Sequence, residues 1–318
     1  MADEPDEKRA QGLTPENVPR ERPKPPEQAT RFRVSSIMVR SIPTLLEALR
    51  AELQRPELWV FRGQRDWEWT LRPKRGRRES PEEKFPLRSG GEMTDPPPLA
   101  QAFSETIWWI QDRQVFEDWK AEAIALVPPS LPRPSSNLEW LAVGQHHGLH
   151  TRFLDWTRNP LVGAYFAVRE SGHGQDSALY ALRGLPHLES TYEHDPWKIR
   201  GVRLWHPPSL VERIGRQSGL FTLHQPGDRG GSLDLVSYAE GLWHEDGSDT
   251  NPFFSFTYLT LVKIRIESSA RTALRDELRL LGVDEFFAFP DLEGLCRAYK
   301  EGRFRRPTFG HLLLGNSS

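Results

Sequence analysis

Short apolar runs bounded by turn residues alternate along this chain with stretches of helical spacing, and that alternation restricts the folds open to it. Leu58-Trp59-Val60-Phe61, Phe153-Leu154-Asp155-Trp156, Ser177 to Leu182 and the alternating stretch from Tyr258 to Ile266 read as strands. Between them, Ser41 can cap a helix that opens on Ile42-Pro43 and places Leu45, Leu46 and Leu49 on one face. Leu99 to Leu126 carries Phe103, Ile107, Trp108, Ile110, Phe116, Trp119 and Ile124 at helical spacings and stops at Pro128-Pro129. Leu138 to His147 predicts a helix stopped by Gly148 in a left-handed cap, and Asn159-Pro160 opens another through Leu161, Ala164, Tyr165 and Val168. Ala270 to Leu281 predicts one more, closed by Gly282. Strands interleaved with helices, without an internal repeat, predict an α/β (mixed α+β) domain around a central mixed sheet.

Residues 1–33 are charged and proline-rich with almost no large apolar side chain, so they cannot offset the entropy of ordering and read as a disordered tail. Residues 74–98 combine Lys74, Arg75, Arg77 and Arg78 with Gly90-Gly91 and Pro96-Pro97-Pro98 and show no periodicity. They predict a basic, Pro/Gly-rich surface insertion. A Pro/Ser linker is expected at 128–136. Net charge is −2, from 42 Lys+Arg against 44 Asp+Glu, too even for a wholesale binder of polyanions or membrane surfaces. Only the run Lys74 to Arg78 could contact nucleic acid, and such a run is more often a solvated loop. The single cysteine, Cys296, excludes an intrachain disulfide framework and Cys-rich zinc modules. The charged N-terminus lacks the apolar core of a secretory signal, and no apolar run reaches membrane-spanning length. The expectation is a soluble cytoplasmic protein.

Two stretches concentrate polar groups beside large apolar ones. Phe61-Arg62-Gly63-Gln64 places a guanidinium and an amide at a strand end, where ligand sites tend to lie, with Gly63 allowing a ligand to approach the backbone. The bland reading pairs Arg62 with a buried carboxylate such as Asp155. The second stretch runs from Gln145 through His146, His147, His150, Thr151 and Arg152 to Asp155-Trp156-Thr157. His146 and His150 have i, i+4 spacing, but Gly148 intervenes and no glutamate stands where a metallopeptidase would need its base, so no metal is expected. Asp155 between Leu154 and Trp156 should be partly buried and paired with Arg62 or Arg152. His224 has an acid–base reading near pH 7 and a structural one. The aromatic run from Trp108-Trp109 to Trp119 reads as packing core rather than a stacking platform.

Trp59-Val60-Phe61-Arg62-Gly63-Gln64 with Trp69, Leu71 and Pro73, then Gln145-His146-His147-Gly148, Asp155 to Pro160, and Tyr165-Phe166-Ala167 together resemble the FRG domain of bacterial and phage proteins. Arg213-Ile214, Gln217 to Thr222 with His224, Leu281-Gly282-Val283 and Phe289 to Leu295 agree with it. The likeness runs in order over about residues 42–300 and implies one FRG domain over 34–318. His147 stands where an aromatic is usual and His150 where proline is common. Phe61-Arg62-Gly63 and Thr151 to Ala167 also look like pieces of ADP-ribosyltransferases. That likeness implies an NAD-using transferase or glycohydrolase, in a bacterial defence or toxin setting, with NAD as substrate and a nucleotide or protein acceptor. An arginine there clamps pyrophosphate and a carboxylate bonds ribose hydroxyls while the glycosidic carbon gains oxocarbenium character. The implied catalytic residues are Arg62, Asp155, Gln217, His224 and Glu293, with Asp291 as a second carboxylate. The implied ligand contacts are Gly63, Gln64, Gln145, His146, Thr151, Arg152, Trp156, Thr157 and Phe221. The competing reading is a non-catalytic module that recognises a nucleotide or small anion.

Overall fold

Ser177 through Leu182 are all buried, which only a strand packed on both faces can satisfy. A computed structural model describes residues 32–75, 98–127, 132–170, 174–188, 195–208, 218–225, 232–241 and 259–302. Its strands are β1 (Phe32–Val39), β2 (Val60–Gln64), β3 (Phe153–Thr157), β4 (Ser177–Arg183), β5 (His187–Leu188), β6 (Val202–Trp205), β7 (Gly219–His224) and β8 (Thr260–Ile266). Its helices are α1 (Ile42–Glu52), α2 (Pro98–Ala123), α3 (Asn137–His146), α4 (Pro160–Val168), α5 (Leu235–Gly241), α6 (Arg271–Leu280), α7 (Glu285–Ala288) and α8 (Leu292–Lys300). Residues 1–31 of the expected tail, 76–97 of the expected insertion, 128–131 of the linker and Gln217 lie outside the described residues, while Phe32 and Arg33, expected in the tail, begin β1 and Pro98, expected in the insertion, opens α2.

The strands form one sheet in the order β1-β8-β4-β2-β3-β7-β6-β5. The outermost pairs, β1 with β8 and β5 with β6, run parallel, and the five inner pairs are antiparallel. This is the mixed α/β architecture that the alternation predicts. The predicted helix boundaries follow from local chemistry. Ser41 and Thr44 form a reciprocal capping box at α1, the Asn159 side chain accepts from Leu161 N at the start of α4, and Gly148 and Gly282 take φ of +97° and +82° just past α3 and α6. One face differs: Leu45, Ala48 and Leu49 are buried in α1, while Leu46 stands 40% exposed. β1 and β6 carry no strong apolar alternation and escaped the periodicity reading. β1 is an edge strand with Val34 half exposed, and β6 is four residues long.

Side-chain alternation sorts the core into layers. Phe61 faces a cluster under α1, α4 and α6 that includes Leu45, Val162, Tyr165 and Leu274. Val60, Leu154, Trp156 and Tyr180 face the opposite side, against Leu71 and Leu235 of α5. Phe153, Phe221 and Trp205 stack with centroids 4.9–5.9 Å apart and pack with Phe116 of α2 and Leu138 and Trp140 of α3. Phe116 and Trp119 thus belong to a packing core, as the aromatic run predicts.

Gly63 sits where α4 presses on β2. A Cβ there would stand 2.1 Å from the Gly163 carbonyl oxygen and 2.4 Å from Ala167 N, both backbone atoms. The space above Gly63, expected to admit a ligand, is therefore filled by a helix. Gly63→Ala is expected to cost about 3 kcal/mol, at the upper end of overpacking effects. Urea denaturation measures it, and an unchanged midpoint would show that α4 can move away without penalty.

Candidate functional site

β4 pairs with β2 along its whole length, from Val60↔Leu182 to Gln64↔Ala178, whereas β3 pairs with it only at Phe61↔Thr157. Beyond Phe61 the two strands part, and a backbone group of β3 needs another partner. Arg62 supplies it. Its Nη1 donates to the Asp155 carbonyl oxygen at 2.7 Å and lies 3.8 Å from that residue's Oδ2.

Asp155 is the exception in β3. Phe153, Leu154, Trp156 and Thr157 are all buried, yet the Asp155 side chain is 64% exposed. The alternation explains this, because Asp155 shares the helix-covered face with Phe153 and Thr157, and so lies at the seam between the clusters under α3 and α4. The partly buried position expected for it is corrected: the carboxylate is open to solvent. Its Oδ1 accepts from Gln145 Nε2 at 2.9 Å. The Gln145 Oε1 in turn accepts a short hydrogen bond from Thr151 Oγ1, and Thr151 Oγ1 accepts from Phe153 N at 3.2 Å. An ionised carboxylate only accepts, so the Gln145 side chain is fixed with its NH2 towards Asp155 and its oxygen towards the Thr151 hydroxyl, which donates to it. Arg62, Gln145, Thr151 and Asp155 form one connected cluster.

Arg152 does not join it. It is 3% exposed, and its counter-ion is Asp112 of α2, with Nε donating to Oδ2 at 3.0 Å. Its terminal nitrogens donate to the carbonyls of His224 and Pro196 at 2.7 and 2.9 Å. Burial lowers the Arg152 pKa and Asp112 opposes that shift. Asp112 also accepts from Arg75 Nε at 2.9 Å and Trp197 Nε1 at 3.1 Å. Arg75, expected in a basic surface loop, is thus tied into the body of the domain. Asp112 carried no signal in the sequence beyond being one acid among the apolar positions of a helix.

His224 is completely buried. The Leu233 carbonyl can only accept, so His224 Nδ1 carries the proton of their 2.7 Å bond. Nε2 then accepts from Thr222 Oγ1 at 2.8 Å, and Thr222 accepts from Trp156 Nε1 at 3.0 Å. Both ring nitrogens are engaged, and burial pulls the pKa down to about 3. The imidazole is neutral at pH 7 and has no proton to exchange with a ligand.

The remaining expected contacts are mostly internal. Gln64 is buried with Nε2 on the Thr70 carbonyl at 3.1 Å, Phe221 is core, and Thr157 Oγ1 accepts from Asn159 N at 3.0 Å ahead of α4. His146 is half-buried at the end of α3, with its ring edge-on to His147. Glu293 lies 75% exposed on α8, paired with Arg297, and none of its described contacts reaches Arg62 or Asp155. Asp291 caps α8 by accepting from Gly294 N. Among the described residues, no group of three His, Cys, Asp or Glu side chains could hold a metal ion, and no helix is long and apolar enough to cross a membrane.

The FRG domain family model matches residues 57–176. The chain carries an FRG domain. No curated protein and no solved structure matches the chain, so the likeness to ADP-ribosyltransferases stands without support. The matched segment contains every member of the Arg62–Gln145–Thr151–Asp155 cluster, while His224 and Glu293 fall beyond it. The FRG match and the open carboxylate therefore coincide on β2, α3 and β3.

The buried imidazole makes a prediction about acid stability. Unfolded His224 takes up a proton near pH 6.5, and the folded residue resists until about pH 3. Its contribution is whole above pH 6.5 and is lost as pH falls through the window from 6.5 to 3, by up to ~1.4 kcal/mol per pH unit. Denaturant titrations between pH 7 and pH 4 are expected to show a shallower slope in His224→Gln than in the parent. Equal slopes would show that the buried His224 imidazole does not set the acid sensitivity.

Proposed function

We propose that the FRG domain recognises a nucleotide, with the Asp155 carboxylate bonding the ribose hydroxyls. The observation that carries this reading is a solvent-open carboxylate in the middle of an otherwise buried inner strand, oriented by Gln145 and Arg62. Such exposure adds nothing to core packing. The 3.8 Å pair with Arg62 is screened by solvent on its carboxylate side, and solvent-screened pairs contribute ~0–1 kcal/mol. An ionised carboxylate accepts hydrogen bonds and donates none, so its natural partner bears hydroxyl or amine hydrogens. A sugar diol offers two. A free anion would meet a negative charge at the centre of the site.

Recognition fits the cluster better than turnover. A transferase or glycohydrolase acting on NAD needs groups that stabilise an oxocarbenium-like centre and move a proton. His224 is neutral and internally bonded, and Glu293 belongs to another cluster. Asp155 alone could serve such chemistry, which makes NAD a useful probe for both readings.

Isothermal titration of the full chain with ADP-ribose and NAD tests this. Asp155→Asn is expected to weaken binding at least about tenfold while leaving the melting temperature within about 2 °C, because the carboxylate is exposed. No nicotinamide should be released from NAD. Equal affinity of parent and variant, or no binding of either compound, would overturn the proposal. Release that disappears in Asp155→Asn would replace it with an NAD glycohydrolase or transferase.

A further inference from the structure

Arg271 and Arg275 lie one turn apart on α6, and Arg271 is only 5% exposed. A buried guanidinium ordinarily meets a carboxylate, because its desolvation is otherwise uncompensated. Here every described hydrogen bond of the two goes to a backbone carbonyl. Arg271 donates to Arg65, Gln175 and Glu170 at 2.9, 3.2 and 2.8 Å, and Arg275 to Arg169 at 3.3 Å. Among the described residues neither enters an ion pair, and the Nε of each is buried without an acceptor. The carbonyls of Arg169 and Glu170 follow the last turn of α4, and capping them explains where two of these bonds go. It leaves both guanidinium groups without a carboxylate in hydrogen-bond contact among the described residues.

The same two arginines line a cavity of about 290 Å³ together with Ser268, Ser269, Thr272 and Glu170. It opens at the start of α6, where the helix dipole adds positive potential. The carboxylates around it are each held by a different arginine: Glu170 by Arg65, Asp176 by Arg265 at 3.1 Å, and Glu267 by Arg40. Among the described residues, Arg65, Arg271 and Arg275 thus share the one carboxylate that lines the cavity, and Glu170 is bonded to Arg65. The Arg271 and Arg275 guanidinium groups and the Ser268 and Thr272 hydroxyls can donate to an oxyanion, whereas Ser269 Oγ donates to Glu267 at 2.6 Å and the amides of Ser268, Ala270 and Arg271 are already bonded.

We propose that this cavity binds a phosphate group, either as a free anion or as part of a small phosphate ester. The cavity has room for a pyrophosphate. None of its lining residues takes part in the Arg62–Asp155 cluster, so this site is independent of the ribose-recognition reading above.

Isothermal titration of the full chain with inorganic phosphate, pyrophosphate and a nucleoside monophosphate provides the test. Saturable binding of at least one of them is expected, one per chain, weakening as salt is raised. In the Asp155→Asn background, which removes the proposed ribose contact, tighter binding of the monophosphate than of phosphate assigns an ester, and the reverse assigns the free anion. Arg275→Glu should weaken binding at least about tenfold. Thr272→Glu, at an exposed rim position, should do the same and serves if the first variant does not fold. Asp155→Asn should bind pyrophosphate as the parent does, which separates failure here from failure of the ribose site. No binding of any probe at low-millimolar concentration, or binding unchanged in the charge-reversal variants, would overturn the proposal.

Discussion

α4 lies so close to β2 that neither partner can carry a side chain at the crossing. Gly63 faces the Gly163 carbonyl, and a Cβ on Gly163 would in turn meet Leu179 Cδ1 at 2.8 Å and Phe61 Cβ at 3.0 Å. Two glycines meeting face to face hold the helix against the centre of the sheet. That contact orients the strand from which Arg62 projects and covers the backbone that a ligand would otherwise reach. The polar groups that remain available must therefore sit beside α4, at the seam where its packing ends and that of α3 begins.

Asp155 occupies that seam. The parting of β2 and β3 leaves its carbonyl to a side-chain donor, and the gap between the helices leaves its carboxylate to solvent. Neighbouring polar residues have the opposite fate. Arg152, His224, Thr222 and Gln64 are buried and bonded within the protein. A low dielectric makes such groups costly to leave unpaired, so they are evidence of internal order rather than of ligand chemistry. Exposure, more than residue type, separates the Arg62–Asp155 cluster from the scaffold that holds it.

Much of the architecture was legible in one dimension. Period-two and period-3.6 spacing located β2, β4, β8, α1, α3, α4 and α6, because each buries a contiguous face against a large layer. Caps at Ser41 and Asn159 and left-handed glycines at 148 and 282 are local events and were read from local residues. β1, β5, β6 and α5 were not, since a short or edge element shows little apolar periodicity. Their stability comes from partners more than a hundred residues away in the case of β1 and β8.

The candidate site divides along the same line. The residue types of Arg62, Gln145, Thr151 and Asp155, and their concentration in two short stretches, are properties of the chain. Which arginine answers which acid is not: Arg62 turned to Asp155 while Arg152 turned to Asp112, forty residues back along the chain. Nor did the chain reveal that α6 gathers Arg271 and Arg275 beside one cavity, bonded to backbone carbonyls. Periodicity registers how much apolar surface a segment buries, a sum over neighbours that any packed layer supplies. Pairing of charges and exposure of one carboxylate depend on distances of a few ångströms between remote segments, and only the closed sheet with its helices in place sets those.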